Sequence, residues 1–107
     1  MRLVSCLTAF IMLLAVGTAA AGGTRTTTSC SESLRRVSDL EAEGVSCGTA
    51  RWVARRYDEK LTQSGHWPGD TDSIGRFTCR TRRTGPETYR VRCHRDADEI
   101  VRFGWGV

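Results

Sequence analysis

Five arginines set at strand spacing are the most prominent chemistry-bearing pattern in this chain. Arg80 and Arg82 alternate with Cys79 and Thr81, Arg90 and Arg92 with Tyr89, Val91 and Cys93, and Arg102 with Val101 and Phe103. Residues two apart along a strand share a face, so all five are expected on one side of a sheet. A guanidinium strip of that kind makes salt-sensitive, sequence-blind contacts with a polyanion. The same strip would also serve as a solvated sheet face whose charges discourage edge pairing. A second candidate is the loop His66-Trp67-Pro68-Gly69-Asp70. A tryptophan beside a proline in a loop can anchor a sugar, peptide or protein partner, or fold back to close one end of a small core.

Other constellations carry less. His66 and His94 are the only histidines. A general acid–base pair, as in a small secreted hydrolase of the nuclease kind, would need them in one cleft with a carboxylate or arginine nearby. The first sits in the loop after a helix and the second at a strand end. Cys93-His94 lacks the paired ligand spacing of a zinc site, and adjacent strand residues point to opposite faces. Asp70-Thr71-Asp72 looks like a piece of a calcium loop without its downstream acidic ligand. No catalytic residue, metal or cofactor is assigned on this basis.

The positioning elements are set by periodicity. From Arg76 onward the pattern has a period of two, with Phe77, Cys79 and Thr81 on one face, then a turn at Thr84-Gly85-Pro86-Glu87, then Tyr89, Val91 and Cys93. A hairpin symmetric about Pro86 places Cys79 opposite Cys93 and Thr81 opposite Val91, which favours a Cys79–Cys93 bridge. Ile100–Trp105 closes the chain as a strand with Val101, Phe103 and Trp105 inward. Upstream, Ser46 is an N-cap followed by Cys47, Ala50, Val53, Ala54, Tyr57 and Leu61 on one helical face, with Trp52 off the stripe and the helix ending near Thr62–Gly65. Gln63–Ser73 reads as a loop. Ser31–Gly44 fits either a capped helix with Gly44 as its C′ residue or, over Val37–Ala42, an edge strand.

Length and composition bound the rest. Residues 1–21 have the form of a secretory signal peptide: Arg2, an apolar run over Leu3–Val16, and Ala19-Ala20-Ala21 as a cleavage pattern. The run falls short of the roughly 20 residues that span a membrane. Beyond it come a polar leader, 22–33, and one small domain, 34–107, near the size where a core alone is marginal. Four cysteines remain after the signal segment, Cys30, Cys47, Cys79 and Cys93, and an even count in a short exported chain indicates a disulfide framework. The formal charge is +4 and Lys60 is the only lysine. That excess suits acidic surfaces such as envelope polymers, while the interspersed carboxylates argue against a nucleic-acid-binding tail.

Val37–Arg51 (Val-Ser-Asp-Leu-Glu-Ala-Glu-Gly-Val-Ser-Cys-Gly-Thr-Ala-Arg), Phe77-Thr-Cys79, Arg90-Val-Arg-Cys93 and Ile100-Val-Arg-Phe-Gly-Trp105 together resemble a group of small secreted actinobacterial proteins without an assigned activity. The resemblance covers about Leu34–Val107 and implies a strand at Val37–Ala42, before the helix. This chain lacks the cysteine that many of that group carry late in the helix, and Cys30 is expected to take its place as the partner of Cys47. The expected fold is α+β: one helix packed on an antiparallel sheet of three or four strands, in the order β-α-β-β-β, stapled by two disulfides. The expected role is a secreted, non-catalytic binding module acting on an extracellular protein or an anionic envelope polymer. The alternative is a small hydrolase using His66 or His94.

Overall fold

A computed structural model describes residues 26–65 and 67–106. The chain forms β1 (Thr27–Ser29), β2 (Val37–Glu43), α1 (Cys47–Ser64), β3 (Thr71–Ile74), β4 (Phe77–Arg83), β5 (Thr88–Arg95) and β6 (Glu99–Gly106). The strands make a single sheet in the order β1-β2-β6-β5-β4-β3, and every neighbouring pair is antiparallel. α1 lies across one face, packing on β2 and β6 and reaching β3. The α+β fold with one helix on a disulfide-stapled antiparallel sheet is therefore as the sequence indicates, and Val37–Glu43 is a strand.

The sheet has six strands, more than the three or four expected from the pattern. Both additions are short edge strands. β1 falls inside the stretch read as a polar leader, and β3 falls at the end of the stretch read as a loop. Neither has an apolar alternation to announce it. β1 pairs with Glu41–Glu43 of β2, and β3 pairs with Phe77–Arg80 of β4, so each is recruited by its neighbour's open edge.

The helix starts where Ser46 accepts a hydrogen bond from the Thr49 amide at 3.1 Å, a cap that stabilises a helix by about 1 kcal/mol. It stops at Gly65, which takes the left-handed conformation at φ 64°. Ala50, Val53, Ala54, Tyr57 and Leu61 are its buried stripe. They meet Val37, Leu40, Ala42, Phe77, Val91, Val101, Phe103 and Trp105 from the sheet. Trp52 stands off the stripe, 45% exposed, over the β3–β4 turn.

Cys30 bonds Cys47 and Cys79 bonds Cys93, closing 17- and 14-residue spans. Loops of that size give each bridge about 3 kcal/mol through the unfolded state. The first ties β1 to the helix start. The second lies under the helix, between directly opposed residues of β4 and β5.

Candidate functional site

The hairpin register decides which side chains share the uncovered face of the sheet. Cys79↔Cys93, Thr81↔Val91 and Val91↔Phe103 pair on the helix side. The alternate pairs Arg80↔Arg92, Arg82↔Arg90 and Arg92↔Arg102 therefore stand on the opposite side. Arg80, Arg92 and Arg102 form one continuous row across β4, β5 and β6, with Arg82 and Arg90 in the row beside it. Neighbouring strands lie ~4.8 Å apart, so these charges crowd one another. Like charges directly opposite on a sheet destabilise it.

The five side chains surround a shallow groove of about 430 Å³ over β4 and β5, and among the described residues no carboxylate lines it. Arg80, Arg82 and Arg92 are exposed, whereas Arg90 and Arg102 are half-buried. Among the described residues only Arg102 of the five has a carboxylate partner, Glu43 on β2 at 3.2 Å. Arg95, one position beyond this face, belongs elsewhere. It forks onto Glu99 at 2.7 and 3.0 Å and lies over the Phe77 ring at 4.7 Å, on the helix side. That fork holds the Glu99 carboxyl below the ordinary range and lifts the Arg95 guanidinium above its own.

Trp67 is 61% exposed. It neither enters the core nor stands free: its ring centroid is 6.3 Å from that of Tyr89, tilted by 40°. Tyr89 in turn is 6.1 Å from Trp105, which is 6.4 Å from Tyr57. The Trp105 indole donates to Asp58 at 2.9 Å and carries the Arg36 guanidinium 5.7 Å from its ring. Trp67 is thus the outer member of an aromatic ladder whose inner members are core residues. The ladder is on the helix side of the sheet, at the end where β4 turns into β5, so Trp67 and the arginine strip occupy opposite faces.

Of the two histidines, His66 lies outside the described residues. His94 is half-buried between Thr78 and Ile100 on the arginine side, and its Nδ1 is buried without a hydrogen-bond partner among the described residues. Cys93, its neighbour, is consumed in a disulfide. The described residues contain no group of three or more His, Cys, Asp or Glu side chains placed to hold a metal ion. No helix among them is long and apolar enough to cross a membrane.

The role of Arg90 as a connector is one that the sequence could not single out. This residue lines the arginine groove and also a second cleft, of about 300 Å³, at the end of the sheet beside Tyr89. Alternation places Arg90 on the arginine face but is silent about what lies past the strand end. Gly104, opposite Arg90 on β6, has no side chain, and the Ser38 hydroxyl and the Arg90 guanidinium lie over its backbone. No known protein family, curated protein or solved structure matches the chain.

Proposed function

We propose that this chain is a small exported binding module that holds an anionic polymer at or outside the cell envelope through its uncovered sheet face. The observation that carries the reading is the groove ringed by Arg80, Arg82, Arg90, Arg92 and Arg102, with no carboxylate among the described residues that line it. A face with three directly opposed arginine pairs gains most when a polyanion supplies the missing charge. The two disulfides fit an oxidising compartment. The apolar leader at residues 1–21 and the likeness to small secreted actinobacterial proteins support export.

Replacing Arg80, Arg82, Arg90 and Arg92 by Gln tests the reading. Retention on immobilised polyglutamate, taken as a generic polyanion, should fall from clearly measurable to background, and the wild type's steep loss of binding with added salt should flatten. Retention equal to that of the wild type would remove the strip as the binding surface.

A further inference from the structure

The positive face is bounded on two sides and open at its Arg90 end. Beside Arg102 it stops at Glu41 and Glu43 of β2, and beyond Arg80 it meets Thr71 and Ser73 of β3. Arg90 also lines the cleft of about 300 Å³ at the end of the sheet, and so do Arg35 and Arg36. These two arginines are exposed on the segment between β1 and β2, and neither has a carboxylate partner among the described residues. Asp39, at the β2 bulge, is the one carboxylate among the described lining residues, so three guanidiniums stand against one carboxylate. The cleft wraps the sheet end. Ser38, Thr88 and Gly104 belong to the arginine face by register, whereas Trp105 is on the helix side with the Arg36 guanidinium 5.7 Å from its ring.

We infer that the anionic polymer runs off the strip at Arg90 and turns round the end of the sheet, where Arg35 and Arg36 hold its next charges. The ligand class is therefore a long, flexible, single-chain polyanion. The inference rests on the polyanion reading above, to which it adds a second anion site and a shape requirement. A compact anion can occupy the strip or the cleft but not both. A duplex nucleic acid is stiff over about 50 nm and meets the flat strip without following the bend. A single flexible chain can lay successive charges on the strip, on Arg90 and then on Arg35 and Arg36. The Thr88 hydroxyl accepts a hydrogen bond from Thr84 at 3.2 Å, which leaves its own proton to donate to an anion at the bend. Asp39 works against the same chain, so its removal should strengthen binding.

Long polyglutamate, added to the oxidised, exported protein, should shift the backbone amide resonances of Arg35, Arg36 and Thr88 together with those of β4 and β5. Arg35→Gln should weaken polyglutamate binding severalfold at low salt and lower the log–log salt slope by about 0.7, the value of one contact to a single-chain polyanion. Asp39→Asn should tighten it, and Asn tolerates the φ of 50° at that position. Arg56→Gln, which removes the same charge from the exposed flank of α1, should change nothing. A short DNA duplex should bind wild type and Arg35→Gln alike. Amide shifts confined to the strip, or normal polyglutamate binding by Arg35→Gln and Asp39→Asn, would overturn the wrapped path and leave the polyanion reading in place. Equal losses from Arg35→Gln and Arg56→Gln would overturn it in favour of net charge alone, and an equal loss of duplex binding from Arg35→Gln would remove the flexible-chain requirement. Undiminished binding by the Arg80→Gln, Arg82→Gln, Arg92→Gln variant would instead remove the parent reading.

Discussion

Single residues fix this fold at points where a substitution has a calculable effect. Gly44 joins β2 to the helix cap at φ 72°, and a Cβ there would collide with the Asp98 carbonyl oxygen. Both the left-handed backbone and the backbone contact oppose a side chain, so Gly44→Ala should destabilise the domain by at least about 2 kcal/mol. A urea titration measures this directly, and an unchanged midpoint would mean the turn can relax. Tyr57 is the second such point. It is fully buried, its hydroxyl shares a 2.8 Å hydrogen bond with Thr81, and burial pushes its phenol up to about 12 from an ordinary value of 10. Above pH 10 the unfolded chain releases this proton and the folded chain keeps it, so stability is full below that point and declines as pH rises toward 12. The decline should reach about 2–3 kcal/mol. Unfolding midpoints measured at rising alkaline pH should therefore fall for the wild type, and Tyr57→Phe should remove most of that slope while costing about 1 kcal/mol at neutral pH.

Elements differ in how much of their stability is their own. α1, β2, β4, β5 and β6 have an apolar period of their own, which is why their faces could be read from residue types. The alternation of Phe77, Cys79 and Thr81 against Arg80 and Arg82, taken with a turn centred on Pro86, is what points to the Cys79↔Cys93 register and favours the bridge. β1 and β3 contain Thr-Thr-Ser and Thr-Asp-Ser-Ile; such polar segments become strands only because a neighbouring edge offers them hydrogen bonds. β1 depends further on the Cys30–Cys47 bond, which holds the chain at its end against the helix. Replacing both cysteines by Ser should lower global stability by about 3 kcal/mol. Amide exchange should rise first at Thr27–Ser29 and at Glu41–Glu43 opposite them, before the β4–β5–β6 core is affected. Uniform loss of protection across all six strands would show instead that β1 is integral to the cooperative unit.

At the scale of the whole molecule, one face is built for stability and the other is not. The helix side collects the core, both disulfides and the aromatic ladder, while the open side collects five arginines in register over β4, β5 and β6, with Glu41 and Glu43 of β2 beside Arg102. That division was legible in the sequence, since strand alternation alone assigns the five arginines to one face. What alternation does not show is that Arg90 lines a second cleft, because that cleft depends on where β2, β5 and β6 end relative to one another and on the bulge at Asp39. Nor does it show that Trp67 leans on Tyr89, a contact between a loop and a strand distant in sequence. The register Arg80↔Arg92, Arg82↔Arg90 and Arg92↔Arg102 has an energetic consequence that separates a binding face from a merely solvated one. Each opposed pair costs up to about 1 kcal/mol, so neutralising Arg80, Arg82, Arg90 and Arg92 to Gln should stabilise the domain at low ionic strength even as it abolishes polyanion retention. The gain should shrink toward zero near 1 M salt, where the screening length is about 3 Å. Urea midpoints of both proteins at low and high salt decide the matter: a variant less stable than the wild type at low salt would mean that the arginines hold the sheet together, whereas a salt-sensitive gain marks a face kept charged for its ligand.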